Sequence, residues 1–265
     1  HVGGCDDLHA LERQGKLENT LIFYIWGDNG SSAEGLNGTI SEKLAQNGIP
    51  TRISQHLDAL RELGGLDALG SSKTDNMYHA GWAWAGSTPY RSTKLVGAHF
   101  GGIRQPMAVA WPRRIRADSK PRAQFHHVID VVPTIYALTE ITAPGVVNGI
   151  PQDSLDGISM AYTFADAGAE GRRKTQFFDI MASRGIYHDG WFASAMGPRE
   201  PWVQGVPKGA AEWSPEKDAW ELYDLRSDWT QAADLAAKMP EKLEQMKALF
   251  LVESARNKNL PIGGG

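Results

Sequence analysis

The sequence predicts an α/β fold, and three stretches carry that prediction. The first is an apolar run without alternation, Thr20 to Trp26, that stops in the polar loop Gly27-Asp28-Asn29-Gly30. The second is a short apolar segment, residues 106–111, closed by Pro112 and followed by a helical pattern from about Val128. The third is a C-terminal stretch in which alternating segments give way to an amphipathic helix over residues 240–256.

The run Leu21–Trp26 reads as a strand buried on both faces, the pattern of a parallel sheet covered by helices. Ahead of it, residues 1–17 place Val2, Leu8, Leu11 and Leu17 among charges, as a surface helix ending near Gly15 does. The polar residues after the strand stand where open α/β sheets bind ligands, at a strand's carboxyl end. Residues 31–90 are Gly-rich and weakly periodic; Arg52–Leu63 reads as a helix and the rest, including Trp82-Ala83-Trp84-Ala85-Gly86, as loop. Loops of that length are commonly functional. In the helix from Val128, residues Val131, Val132, Ile135 and Leu138 are expected inward, Pro133 fits the first turn, and Asp130 is the N-cap or first-turn acid.

After residue 170 the texture changes. Gln176–Ile180 and Gly185–Phe192 carry aromatics and alternate, with a turn at His188-Asp189-Gly190, and Trp220–Leu225 alternates as a further strand. The helix over 240–256 sets Leu243, Met246, Leu249 and Phe250 on one face, with Pro240 in its first turn. The division expected is a main α/β part over 1–170 and a small α+β subdomain over 171–265, an antiparallel sheet under one helix.

Composition narrows the function classes. The chain has 265 residues with 42% hydrophobic and 22% charged residues and a formal net charge of −4, which is ordinary for a globular protein. No basic excess or Lys/Arg run suggests nucleic acid or an anionic membrane as partner. The longest apolar run is far too short to span a bilayer. A single cysteine, Cys5, excludes a disulfide within the chain, and its acidic neighbours Asp6 and Asp7 disfavour a reactive thiolate. Residues 1–20 are polar and read as a helix rather than a signal peptide. With no initiator Met, the text opens in mid-helix, so the beginning of a longer protein is expected to be missing. Neither compartment nor oligomeric state has a signal here.

Four sets of residues could carry chemistry. Asp28 and Asn29 offer a carboxylate and an amide oxygen from one short loop, hard donors suited to Ca²⁺ or Mg²⁺; Asn29-Gly30 is equally a turn dipeptide. Lys94 and His99 lie in a Gly-containing stretch with Arg104 that could bind an oxyanion, or could be an exposed loop. His126, His127 and Asp130 have ligand-like spacing but read better as local caps. His188 reads as a solvated turn residue. Of the nine Trp, Trp26, Trp82 and Trp84 could line a pocket, with core packing the expectation for at least two.

In order along the chain, several phrases resemble the sulfatase branch of the alkaline-phosphatase-like superfamily, the arylsulfatases in particular. They are Gly15-Lys16-Leu17-Glu18-Asn19-Thr20, the apolar run, Asp28-Asn29-Gly30, Lys94, Gly101-Gly102-Ile103-Arg104-Gln105-Pro106 and Trp111-Pro112. His127-Val128-Ile129-Asp130-Val131-Val132-Pro133-Thr134, Leu155-Asp156-Gly157-Ile158-Ser159, Arg184–Trp191 and Trp220–Leu225 follow. The resemblance implies an alkaline-phosphatase-like α/β fold. It also implies hydrolysis of a small sulfate-ester substrate with one divalent cation, Ca²⁺ or else Mg²⁺, acting as Lewis acid. By it, Asp28 and Asn29 are metal ligands and Lys94 is a catalytic, substrate-contacting residue stabilising charge on the leaving oxygen. Lys94 stands one residue further from Gly101 than in the family's usual form, which places His99 in the shifted stretch as a second catalytic candidate.

The departures from the family are as informative. Its formylglycine nucleophile comes from a Cys-x-Pro-x-Arg motif, and no such motif occurs in these 265 residues. Cys5 lies in the helix before the Asp-Asn strand, and Asp6-Asp7 are not the family's early metal pair. The expectation is therefore a partial sulfatase site, with the chain inactive on its own. The alternatives are a phosphate or phosphonate monoester hydrolase of the same superfamily, a non-catalytic module binding sulfated ligands, and a truncated product without independent function.

Overall fold

The computed structural model describes residues 2–203 and 210–263. In chain order it contains α1 (Val2–Arg13), β1 (Ile22–Ile25), α2 (Glu42–Gln46), α3 (Ile53–Leu63), α4 (Ala80–Ser87), α5 (Phe100–Ile103), β2 (Met107–Ala110) and α6 (Val131–Thr139). These are followed by β3 (Val146–Val147), β4 (Ile150–Pro151), α7 (Tyr162–Ala165), β5 (Thr175–Ile180), β6 (Ser183–His188), β7 (Trp191–Ala195), β8 (Trp220–Asp224) and α8 (Pro240–Arg256). The mixed α/β content is the one expected. The chain forms two compact units, each discontinuous in sequence: residues 1–26 with 106–176, and residues 27–105 with 177–265.

In the first unit, β1 pairs with β2 in antiparallel register, Ile22 opposite Ala110 and Ile25 opposite Met107. This corrects the expected parallel strand buried on both faces. Among the described residues β1 and β2 are a two-stranded sheet, and Ile25 keeps 41% of its surface exposed. An unalternating apolar run is buried on both faces only if something covers both, and here Ile22, Phe23 and Tyr24 are half-buried and Ile25 exposed. The α6 helix begins where its Pro and Asp placed it, but Val132 and Ile135 face outward, and the residue buried completely is Thr134. Thr134 donates its hydroxyl to Asp130 O and accepts from Met160 N, so the inner face of this short helix is polar and hydrogen-bonded.

Asp130 is fully buried and heavily hydrogen-bonded. Its carboxylate accepts from His127 N at 3.0 Å, from Ile158 N at 2.8 Å, and from Arg173 through Nε at 3.0 Å and through Nη2. Burial pushes this carboxyl up, and the Arg173 guanidinium with the two backbone donors outweighs it, leaving it below the usual range. Burial likewise pushes His126 and His127 down. The His-x-x-Asp phrase is thus a capping box, as its spacing predicts, and its Asp130 forms a buried ion pair with Arg173. Gly157 is required beneath it, because a Cβ there would lie 2.0 Å from Ile129 O.

The second unit is organised around the sheet β5-β6-β7-β8, with β6, β7 and β8 antiparallel. Helix α8 covers one face through Met246 and Phe250, packed on Ile186, Ala193 and Leu222. The other face is covered by the 90–103 segment, where Phe100 packs at a tilt against Phe192 beside Tyr223, with ring centroids 5.0 Å apart for the first pair. The expected sheet-and-helix arrangement is present, with the turn at Asp189-Gly190; His188 is the half-buried end of β6 rather than a solvated turn residue. A further correction concerns 80–87, expected as loop and found as α4. Gly81 and Gly86 lower its helical preference, but the His79 imidazole caps it by accepting from Gly81 N at 2.8 Å.

Candidate active-site corner

Three phrases that lie far apart in sequence meet in the second unit through backbone. Gly30 N donates to Gly102 O at 2.8 Å, and Lys94 N donates to Ser31 O at 3.1 Å. Gly101 N donates to Arg91 O at 2.8 Å. The glycines are sterically required: a Cβ on Gly30 would lie 1.8 Å from Gly101 O, one on Gly101 2.2 Å from Arg91 O and Ser92 O, and one on Gly102 2.2 Å from Val96 O. Asp28-Asn29-Gly30, Lys94 and Gly101-Gly102 are therefore one rigid corner in which backbone packs on backbone.

Within it Asp28 is exposed and Asn29 half-buried. Among the described residues neither side chain has a hydrogen-bond or ion-pair partner, which leaves both oxygens available. The Lys94 ammonium pairs with Glu34 Oε2 at 2.8 Å. That contact raises the Lys94 pKa, with Asp28 adding to it through space, so Lys94 is a cation at neutral pH. For Glu34, burial pushes upward and Lys94, Ser32 and Arg199 prevail, holding it below the usual carboxylate range. The Lys94 loop is conformationally unusual as well: Ser92 and Leu95 have φ of 66° and 72°. A leucine in the left-handed region is uncommon and accumulates at sites where surroundings impose it.

His99 directly precedes α5, and its O accepts from Gly102 N at 3.0 Å. It is 4% exposed; its Nδ1 meets Ser92 Oγ at 2.7 Å and its Nε2 meets Glu221 Oε2 at 2.8 Å. Glu221 also pairs with Arg91 at 3.1 Å, and Arg91 donates to the Tyr223 hydroxyl. With both ring nitrogens engaged, His99 ties the loop to β8. Two further buried groups hold the same loop: Gln231 accepts from Phe100 N at 2.7 Å and donates to Ala98 O at 3.0 Å, and Ser183 Oγ accepts from Ala98 N at 3.2 Å. Sequence reasoning missed Glu34, Arg91, Glu221, Ser183 and Gln231, because nothing in their local phrases marks long-range partners.

Glu221 gives a pH test of this clamp. Burial pushes its carboxyl up, but His99 and Arg91 dominate and bring it down to about 2 from an unfolded value near 4.5. A depressed folded pKa contributes stability that is complete above the unfolded value and lost as pH falls toward the folded one. The second unit should therefore lose stability between about pH 4.5 and 2, and Glu221→Gln should remove part of that slope while costing about 2 kcal/mol at pH 7. Urea unfolding across this range would show it; an unchanged slope in Glu221→Gln would refute the assignment.

As a cation site, the corner provides two hard oxygens, from Asp28 and Asn29. Ca²⁺ takes 6–8 oxygens, and no group of three His, Cys, Asp or Glu among the described residues could hold a metal. The donor chemistry fits one side of a Ca²⁺ or Mg²⁺ sphere, with the other ligands outside these residues.

Four similarities to known proteins bear on this corner. A sulfatase family model matches residues 8–141, which include Asp28, Asn29, Gly30, Glu34, Arg91, Lys94, His99, Gly101 and Gly102 but not Ser183, Glu221, Tyr223 or Gln231. An uncharacterized sulfatase of Schizosaccharomyces pombe is 26% identical over 254 residues, covering 92% of this chain and 39% of that protein. A solved structure from a Bacteroides thetaiotaomicron locus for metabolism of multiple glycosaminoglycans superposes with a TM-score of 0.55 at 18% identity, covering 94% of this chain and 41% of that one. Ps i-CgsB in complex with a neocarrahexaose superposes with a TM-score of 0.56 at 16% identity, covering 97% and 41%. The chain thus spans about two fifths of the length of the relatives it matches.

Proposed function

The chain belongs to the sulfatase family and has the alkaline-phosphatase-like fold of its structural neighbours, and on that premise we propose that it carries the metal-and-charge side of a sulfuric ester hydrolase of arylsulfatase type. The observation that carries this reading is the corner itself: free Asp28 and Asn29 oxygens, held by backbone contacts beside a lysine that is kept cationic.

Each residue has a role that follows from its chemistry. Asp28 and Asn29 would hold the cation from one side. A divalent cation bound there supplies Lewis-acid polarisation of the sulfate ester. Lys94 has three donors and gives one to Glu34, leaving two for a sulfate or leaving-group oxygen, where developing negative charge is stabilised. Glu34 aims the ammonium and keeps it protonated, so Lys94 acts as a fixed charge and not as a base. Gly30, Gly101 and Gly102 keep the parts in register, and His99 with Glu221 and Arg91 fixes the loop from behind.

Because no Cys-x-Pro-x-Arg motif lies in these residues, the nucleophile of this reading comes from outside them. The 265 residues alone are expected to show no turnover of 4-nitrocatechol sulfate, and to bind Ca²⁺ weakly by calorimetry, with Asp28→Ala abolishing the heat. Turnover by this chain that Asp28→Ala leaves intact would place the chemistry elsewhere. In a longer protein supplying the motif, Lys94→Ala should lower kcat by about 10²–10³-fold, the range for losing one charge-stabilising donor, while a phosphate monoester remains the poorer substrate. A preference for the phosphate ester would favour a phosphatase of the same superfamily.

A further inference from the structure

Trp82 and Trp84, expected mostly in the core, are among the most exposed aromatic residues of the molecule, at 72% and 44%. Large apolar side chains left in solvent next to a polar site call for an explanation. Both lie on α4, and α4 is tied to the Asp28 corner. A Cβ on Gly86 would sit 3.1 Å from Ser31 Oγ, and Ser87 Oγ donates to Gly101 O at 3.4 Å. Trp84 in turn meets Trp202 edge to face, with ring centroids 5.3 Å apart and planes at 77°. Trp202 follows closely on Arg199, whose guanidinium acts through space on Glu34, the partner of Lys94. Two segments far apart in sequence thus bring indole rings to the edge of the same charged corner.

Resting on the sulfuric ester hydrolase reading of that corner, we propose that Trp84 and Trp202, flanked by Trp82, form the subsite that takes the planar aryl ring of the sulfate ester. A perpendicular indole pair offers a face and an edge at once, and aromatic rings gain most in offset or edge-to-face arrangements. The exposed part of α4 favours an aryl group over a sugar. Besides the tryptophans it presents Gly81, Ala85 and Gly86, which have no side-chain donor or acceptor, and the Ser87 hydroxyl is buried on Ala83 O and Gly101 O, whereas reading ring hydroxyls takes several placed polar groups. The anionic sulfate then lies toward Lys94 and the apolar ring toward α4, so the two ends of the substrate are separated by chemistry.

The test is binding to the 265-residue chain in the presence of Ca²⁺, with 2-naphthyl sulfate as probe and inorganic sulfate and glucose 6-sulfate as comparators. Ligand-induced shifts of the Trp84 and Trp202 indole N–H signals in the unsubstituted chain need no variant and are the first readout. Trp84→Ala, and the milder Trp84→Phe and Trp202→Phe, are the second. Naphthyl sulfate should shift both indole signals, and Trp84→Ala should weaken its binding about tenfold, the factor equivalent to the ~1.4 kcal/mol upper range of an aromatic contact. Binding of inorganic sulfate should not change in these variants. Naphthyl sulfate binding that moves neither indole signal, or is unaltered in all three variants, overturns the subsite. So does glucose 6-sulfate showing the larger dependence on Trp84. Failure of the underlying reading looks different: there, Lys94→Ala would leave inorganic sulfate and naphthyl sulfate binding equally unaffected.

Discussion

Gly101→Ala is expected to unfold the second unit, and to do so more decisively than the loss of any single side chain there. The added methyl group would lie 2.2 Å from two carbonyl oxygens, Arg91 O and Ser92 O, both fixed backbone atoms. Overpacking a well-filled interior ordinarily costs about 1–3 kcal/mol because side chains can rearrange. Here no side chain stands in the way to rearrange, and Gly101 N is itself held by Arg91 O at 2.8 Å. A loss above about 3 kcal/mol is therefore expected, read as a fall in the denaturation midpoint together with the near-ultraviolet signal of Tyr90 and Phe100. Gly145→Ala is the control, since a Cβ there meets nothing within 4 Å. Equal stability of the two variants would mean that the corner is not rigid, and with it the argument for a preset Asp28–Lys94 geometry would fall.

The second large effect is Asp130→Ala in the first unit, expected to cost about 3–5 kcal/mol, the range for breaking a buried ion pair from one side. Arg173, 7% exposed, would keep its charge with no carboxylate to meet it, and the His127 and Ile158 amides would lose their acceptor. Much of that cost is the stranded charge and not the intrinsic worth of the pair. Asp130→Leu combined with Arg173→Met should thus recover a good part of it, by an amount a double-mutant cycle would measure. A single-variant loss below about 1 kcal/mol would show that Arg173 finds water when its partner is removed.

These two cases explain what could be read from the sequence. Short-range information was legible: α8 begins at Pro240 as its pattern requires, β2 and α3 lie within a residue of their expected bounds, and α6 begins three residues after Val128, behind a 3-10 turn over Val128–Asp130. The glycines of Asp28-Asn29-Gly30 and Gly101-Gly102 were legible as phrases, though not as partners, because a backbone-to-backbone contact leaves no trace in the identity of any third residue. The burial of β1, Val132 and Ile135 was misjudged for one reason. Periodicity reports which face of an element is apolar, and it is silent on whether that face is covered. For the same reason the three tryptophans Trp26, Trp82 and Trp84, apolar by type, are all exposed. The clamp on the Lys94 loop was out of reach altogether, since Glu221 lies 122 residues from His99 and stands in an ordinary alternating strand.

The ribbon of β1 and β2 has a practical consequence for anyone handling this chain. Among the described residues β1 and β2 form a sheet of two strands only, and the apolar residues Ile25, Trp26, Val128 and Val132 of the same unit stand open to water. Strands of this kind recruit more strands, from other copies if from nowhere else. Solutions of these 265 residues should therefore cloud as concentration and temperature rise, with fibre-like scattering rather than discrete oligomers. A lysine at Ile25, whose side chain is already 41% exposed, should keep them clear without disturbing the Asp28 corner, and calcium titration before and after the change would verify that the two properties are separable.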